Sequence, residues 1–192
     1  MLDKLVSQKI KKIVFTGPES SGKTSLTLAL AMRLGVPYVW EYARFYLESK
    51  GPAYTYEDYL CMAAGQLRWE RLMEERLLWR FRQEGKGPTV LLCDTGALVL
   101  KIWGEQRFGS YPAMLDEALY TYDLFFLCRP DIPYEEDPLR ENPHNREELY
   151  ELYKQHLKGK NLPYVVLQGD WEQRLKQAVA SVQSLSNAEG KR

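Results

Sequence analysis

Histidine is scarce in this chain, with two in 192 residues, and cysteine hardly commoner, with three. His144 and His156 both have polar neighbours and read as solvated surface residues, so no histidine zinc site is expected. Cys61, Cys93 and Cys128 are odd in number and sit among apolar residues, the pattern of reduced core thiols rather than of a disulfide frame or a metal cluster. Net charge is missing too, since 26 basic side chains cancel 26 acidic ones. Without a global field, nothing draws the chain to nucleic acid or to an anionic membrane. Long apolar runs are absent: none approaches the roughly 20 residues of a membrane span, and Met1-Leu-Asp-Lys-Leu lacks the apolar stretch of a secretion signal. A soluble, cytoplasmic protein is expected, with no nucleic-acid or membrane partner. Its oligomeric state leaves no mark in the composition. What is present is 45% apolar content, which suits a single domain over 1–192 and leaves no room for a second.

Residues 17–24 read Gly-Pro-Glu-Ser-Ser-Gly-Lys-Thr. They follow the apolar run Ile13-Val14-Phe15 and precede the helix-period residues Leu26, Leu28, Ala29, Leu30 and Met32. Strand, glycine-rich loop and helix in this spacing make a phosphate-binding P-loop. Gly17 and Gly22 let the backbone curl, so that N–H groups through Glu19, Ser20, Ser21 and on to Ser25 turn inward at the phosphates of a nucleotide, facing the positive end of the new helix. Lys23 is placed to reach the β- and γ-phosphates, and Thr24 to put its hydroxyl on Mg²⁺.

The remaining chain alternates strand and helix patterns. Gly35-Val36-Pro37 ends the first helix, near 22–34, and Tyr38-Val39-Trp40 reads as a short buried strand. A long helix is expected over about 55–84. Near-continuous apolar runs at 89–94, 122–128 and 163–168 are of the kind buried on both faces of a parallel sheet. Helices are expected near 95–107, 111–120, 145–158 and 171–184, with a flexible tail over 184–192. The pattern predicts an α/β fold of the P-loop NTPase type, a mostly parallel, doubly wound sheet of about five strands with its functional groups at the strands' carboxyl ends. Segment 129–145 carries four prolines and many charges, and reads as a mobile lid over the P-loop. Arg129, Arg140 and Arg146 bracket it. A lid arginine, Arg140, is placed to neutralise a transferring phosphoryl group, whereas Arg146 reads as a solvated partner of the acids at 135–137.

Asp94 ends a buried strand, where an unpaired carboxylate is costly. It either holds Mg²⁺ with Thr24 or caps the helix that follows. Glu41 lies at the end of the second strand, across the same crevice, and either accepts a proton from an acceptor hydroxyl, binds sugar hydroxyls, or simply begins a helix. Trp40, with Trp69 on the long helix, offers two aromatic faces suited to sandwiching a flat cationic ring, unless Trp40 is core.

Taken together, Gly17–Thr24, Trp40-Glu-Tyr-Ala-Arg44, Cys93-Asp-Thr95, Tyr122-Asp-Leu124 and Tyr134-Glu-Glu-Asp-Pro-Leu-Arg140 resemble the nicotinamide riboside kinase domain of the bifunctional NadR-type proteins over nearly the whole chain. The resemblance implies ATP- and Mg²⁺-dependent phosphorylation of the riboside 5′-hydroxyl. It also implies nicotinamide stacking on Trp40 and Trp69, and an acceptor site that includes Glu41, Tyr42, Arg44 and Asp94. Gly96 stands where the family often has a second aspartate, and Tyr134 and Pro138 where its lid usually has Trp and Gly. The adenylyltransferase domain that usually precedes the kinase is not in this sequence, so adenylylation of the product through that domain is not expected.

Overall fold

Side chains in the first strand, β1 (Lys11–Thr16), alternate between two buried faces. Ile13 and Phe15 join a core with Leu26, Leu30 and Phe126, whereas Val14 joins a second core with Tyr59, Cys93, Ala97 and Phe125. A strand buried on both sides belongs in the middle of a covered parallel sheet. The computed structural model describes residues 9–137 and 145–187 and places β1 there. The others are β2 (Tyr38–Val39), β3 (Val90–Asp94), β4 (Leu124–Cys128) and β5 (Tyr164–Leu167). All pair in parallel, in the order β2-β3-β1-β4-β5. The architecture is the α/β doubly wound sheet that the alternation predicts.

Seven helices are described: α1 (Lys23–Leu34), α2 (Tyr42–Lys50), α3 (Tyr56–Glu84), α4 (Ala97–Phe108), α5 (Met114–Leu119), α6 (Arg146–Gly159) and α7 (Trp171–Asn187). Helices α1 and α7 cover the Phe15 face, and α2 to α6 the Val14 face. Helix α3 starts with a reciprocal capping box between Thr55 and Asp58, a device that contributes about 1 kcal/mol, and stops at Gly85 in the left-handed conformation. No described helix is long and apolar enough to cross a membrane.

The structure departs from expectation in five places. Helix α2 forms over residues given no helix in the element pattern, so Glu41 does begin a helix, one of the three readings of that residue. Strand β2 stops at Val39, leaving Trp40 half exposed. Cys61 is exposed on the outer face of α3, while Cys93 and Cys128 are buried as expected. His156 is partly buried against Glu105 rather than freely solvated. Helix α7 continues to Asn187, into the stretch expected to be a flexible tail. His144 and Arg140 lie outside the described residues, as does most of the second half of the expected lid.

Candidate active site

Parallel pairing sets Phe15 opposite Asp94 and Thr16 opposite Leu127, which brings three strand ends together beneath the loop that follows β1. Gly17 sits there at φ 130°, and a Cβ would lie 2.6 Å from the Cys128 carbonyl oxygen, so the loop can leave the sheet this way only with glycine. Gly22, also left-handed, is the N-cap of α1, with no side-chain cap. The first-turn N–H groups are therefore free for an anion. Lys23 turns its ammonium back on the Gly17 and Pro18 carbonyls at 3.1 and 2.8 Å, and the Ser21 hydroxyl donates to the Pro18 carbonyl.

Residues 17–25 line one wall of a cavity of about 700 Å³, within the range of about 300–1,000 Å³ usual for small-molecule sites. Glu41 and Arg44 line it too, as do Leu47, Pro52, Tyr54, Ile102 and Trp103. Glu41 is the N-cap residue of α2, yet its carboxylate makes no cap hydrogen bond. Burial pushes its pKa up, against the pull of Lys23 and Arg44. The Arg44 guanidinium donates to Asp137 at 2.9 Å and so ties α2 to the segment that follows β4.

Asp94 is buried, and neither carboxylate oxygen makes a well-formed hydrogen bond among the described residues, although the Thr24 hydroxyl lies close enough to favour its charged form. Burial, and next the charge of Glu41, push its pKa up to about 7, with Thr24 and Lys23 pulling the other way. Helix α4 has Gly96 as its N-cap, without a side-chain cap, so the cap role weighed for Asp94 is not the one it takes. Two orphaned carboxylate oxygens beside a P-loop threonine suit a hard cation, and Mg²⁺ is commonly held by one or two carboxylates completed by substrate phosphates. No cluster of three or more His, Cys, Asp or Glu that could hold a metal occurs among the described residues. Thr24 and Asp94 fit a Mg²⁺ ion that arrives with nucleotide.

Trp40 and Trp69 are brought together, but in a separate groove of about 280 Å³ with Tyr38, Val39, Leu72, Met73 and Arg76. Trp40 packs edge-on to Tyr38 at 5.0 Å, and Trp69 edge-on to Tyr42 at 4.7 Å. Tyr42 fills the space beside Gly65 and does not line the P-loop cavity. The aromatics that line that cavity are instead Tyr54, Trp103, Tyr153 and Trp171, and the Trp103 indole N–H donates to the Tyr54 hydroxyl at 2.8 Å. Sequence reasoning missed this pair, because Tyr54 lies in a loop and Trp103 in a helix with no distinguishing pattern.

The segment that follows β4 is tied to the P-loop. Arg146 donates to the Ser20 and Ile132 carbonyls at 3.0 and 3.2 Å, not to the acids at 135–137, and the Glu135 N–H donates to the Ser20 hydroxyl at 2.9 Å. Arg174, fully buried and not foreseen, donates to the Ser21, Gly169 and Arg129 carbonyls and pairs with Asp131.

A family model described as AAA domain matches residues 12–174. The chain is 26% identical to the trifunctional NAD biosynthesis/regulator protein NadR of Salmonella typhimurium, over 94% of this chain and 44% of that protein. Crystal structures of NadR protein, one with NAD and AMP-PNP and one with NR, superpose with TM-scores of 0.67 and 0.66 at 22% and 20% identity. Each covers 91% of this chain, and 49% and 51% of theirs. The chain thus spans about half the length of these relatives. Deoxyadenosine kinase from M. mycoides superposes with a TM-score of 0.60 at 14% identity, over 90% of this chain and 99% of that one. The shared architecture is the P-loop kinase fold.

Proposed function

The chain belongs to the AAA domain family, and from that premise we propose that it is an ATP-dependent kinase acting on the 5′-hydroxyl of nicotinamide riboside to give nicotinamide mononucleotide. The observation that carries this reading is Glu41, a carboxylate with no capping role and a raised pKa, set in one cavity with the phosphate-binding loop. An acceptor hydroxyl needs such a group. The similarity to NadR, crystallised with NR, points to the nucleoside.

In this reading residues 17–25 hold the triphosphate, and Lys23 exchanges its carbonyl partners for β- and γ-phosphate oxygens. Mg²⁺, when bound, would be held by Thr24 and Asp94 and would offset charge on the phosphates. Glu41 takes the hydroxyl proton as the acceptor oxygen bonds to the γ-phosphorus. The bond from that phosphorus to its bridging oxygen breaks, and ADP leaves. A raised pKa makes Glu41 a stronger base than an exposed carboxylate. Arg44, joined to Asp137, links the acceptor wall to the lid, and Arg140 is proposed to close over the phosphates.

Trp40 and Glu41 are consecutive, so in this reading one strand end serves both the ring, in the Trp40–Trp69 groove, and the hydroxyl. A pyridinium ring there gains about 0.5–2 kcal/mol of cation–π attraction per tryptophan. Tyr54 and Trp103 favour a second reading, in which a neutral nucleoside lies wholly inside the P-loop cavity. The two separate in one experiment. Trp40→Leu should raise KM for nicotinamide riboside about 2- to 30-fold, leave KM for ATP nearly unchanged, and shrink the preference over neutral nucleosides. Trp103→Leu doing this while Trp40→Leu does not would move the acceptor ring to Tyr54 and Trp103.

A further inference from the structure

The N–H of Tyr42 is one of the first-turn donors that a helix cannot satisfy internally. The residue before it, Glu41, does not cap it; the donor goes instead to Oε1 of Gln66 on α3, at 2.8 Å. The other end of that amide is spent as well. Nε2 of Gln66 donates to the Thr95 carbonyl at 3.3 Å and to Oε1 of Glu70 at 3.2 Å. Gln66 is 1% exposed, so no solvent competes for either end. One buried amide therefore grips the backbone at two points, and each point immediately follows a carboxylate of the site: Tyr42 follows Glu41, and Thr95 follows Asp94.

Both grips fall where the chain needs them. Thr95 is a β-branched residue at φ 63°, a strained conformation that persists only when its surroundings over-determine it. The bond from Gln66 fixes the direction of its carbonyl. The amide also cannot flip, because Nε2 faces Glu70, and Glu70 is itself held by Lys12 at 3.1 Å and by the Tyr122 hydroxyl at 3.0 Å. That hydroxyl in turn accepts from the Ala97 N–H, on the far side of Thr95. Gly96 lies between, where a Cβ would fall 2.6 Å from Val14 and 2.7 Å from the Tyr122 oxygen. The turn after Asp94 is clamped from both sides.

Resting on the kinase reading of Glu41 and Asp94, we propose that Gln66 is a positioning residue that sets the separation of the acceptor-facing carboxylate from the metal-facing one. It touches neither substrate and acts through two backbone bonds. Gln66→Met keeps the length of the side chain and removes both. A misplacement of about 1 Å at a reacting centre costs about 10²-fold in rate. Gln66→Met should therefore lower kcat by about 10²-fold and leave KM for ATP nearly unchanged, since residues 17–25 are not touched. Hydrogen exchange should quicken at the Tyr42 amide and leave the middle of α3 slow. A purely structural Gln66 predicts the reverse, a lower melting temperature with kcat preserved in the folded fraction, and that result overturns the proposal. Should the variant fail to fold, wild type still decides, because the clamp requires the Tyr42 amide to exchange as slowly as the core of α3. Exchange at the rate of a fraying helix end would refute it. Failure of the wild type to phosphorylate any riboside would remove the kinase reading and leave the exchange result to decide whether the clamp exists.

Discussion

Asp94→Asn should make the free protein more stable and the enzyme worse, and both effects follow from the same two unpartnered oxygens. The carboxyl is buried and its pKa is raised from 3.8 to about 7. A raised acid pKa means that the folded protein favours the neutral form. Stability from this group is therefore complete below the unfolded value and is lost as pH rises through the folded one. From 3.8 to about 7 at about 1.36 kcal/mol per unit, the penalty at pH 8 is at most about 4 kcal/mol, shared in part with Glu41. A chain of this size gains about 2–4 °C in Tm per kcal/mol. Asparagine matches the carboxyl in shape and carries no charge, so Asp94→Asn should melt at most about 8–16 °C above wild type at pH 8 and close to it at about pH 3, below the unfolded pKa. Thermal unfolding followed by circular dichroism at both pH values reads this directly. Adding MgADP should reverse the order, because the ion stabilises only the protein that can hold it. A mutant that melts with or below wild type at pH 8 would show that Asp94 is already compensated, and the metal assignment would go with it.

Other outcomes follow from named contacts. Lys12→Met strands Oε2 of Glu70, which among the described residues pairs with the Lys12 ammonium alone, and should cost about 3–5 kcal/mol; Lys12→Met with Glu70→Met should recover most of the loss in a urea titration. Gly96→Ala should cost about 1–3 kcal/mol by overpacking against Val14 and Tyr122, whereas Gly87→Ala, with open space around it, should be near neutral in the same melt. Glu41→Gln should lower kcat by about 10²–10⁴-fold with little change in ATP affinity, and an unchanged rate would make Glu41 structural. Lys23→Ala should remove about 3–4 kcal/mol of transition-state stabilisation while the melting temperature holds.

The sheet and the P-loop were legible because their signals are local: apolar runs for strands, a fixed glycine spacing for the loop. Helix α2 was not. Only Ala43 and Leu47 of its nine residues are buried, so there is too little apolar periodicity to read. Cys61 misled because its neighbours in sequence, Leu60 and Met62, are apolar, whereas burial on α3 follows Tyr59, Met62, Ala63, Gln66 and Glu70. The inward-facing Gln66 and Glu70 were invisible for a further reason. Their partners Lys12, Tyr42, Thr95 and Tyr122 are scattered along the chain, and only the fold makes burial of such groups affordable. Trp40 and Glu41 were rightly placed at a strand end, but side chains there alternate in direction, and the groove of one is not the cavity of the other.

Transfer itself tests the central claim most directly. The protein is incubated with MgATP labelled in the γ-phosphoryl group and with nicotinamide riboside, and label and mass are followed together. Label should move to the riboside, giving a product heavier by one phosphoryl group, and ADP should form in step with it and only when riboside is present. ADP formation indifferent to the riboside, with label released solely as inorganic phosphate, would contradict that claim.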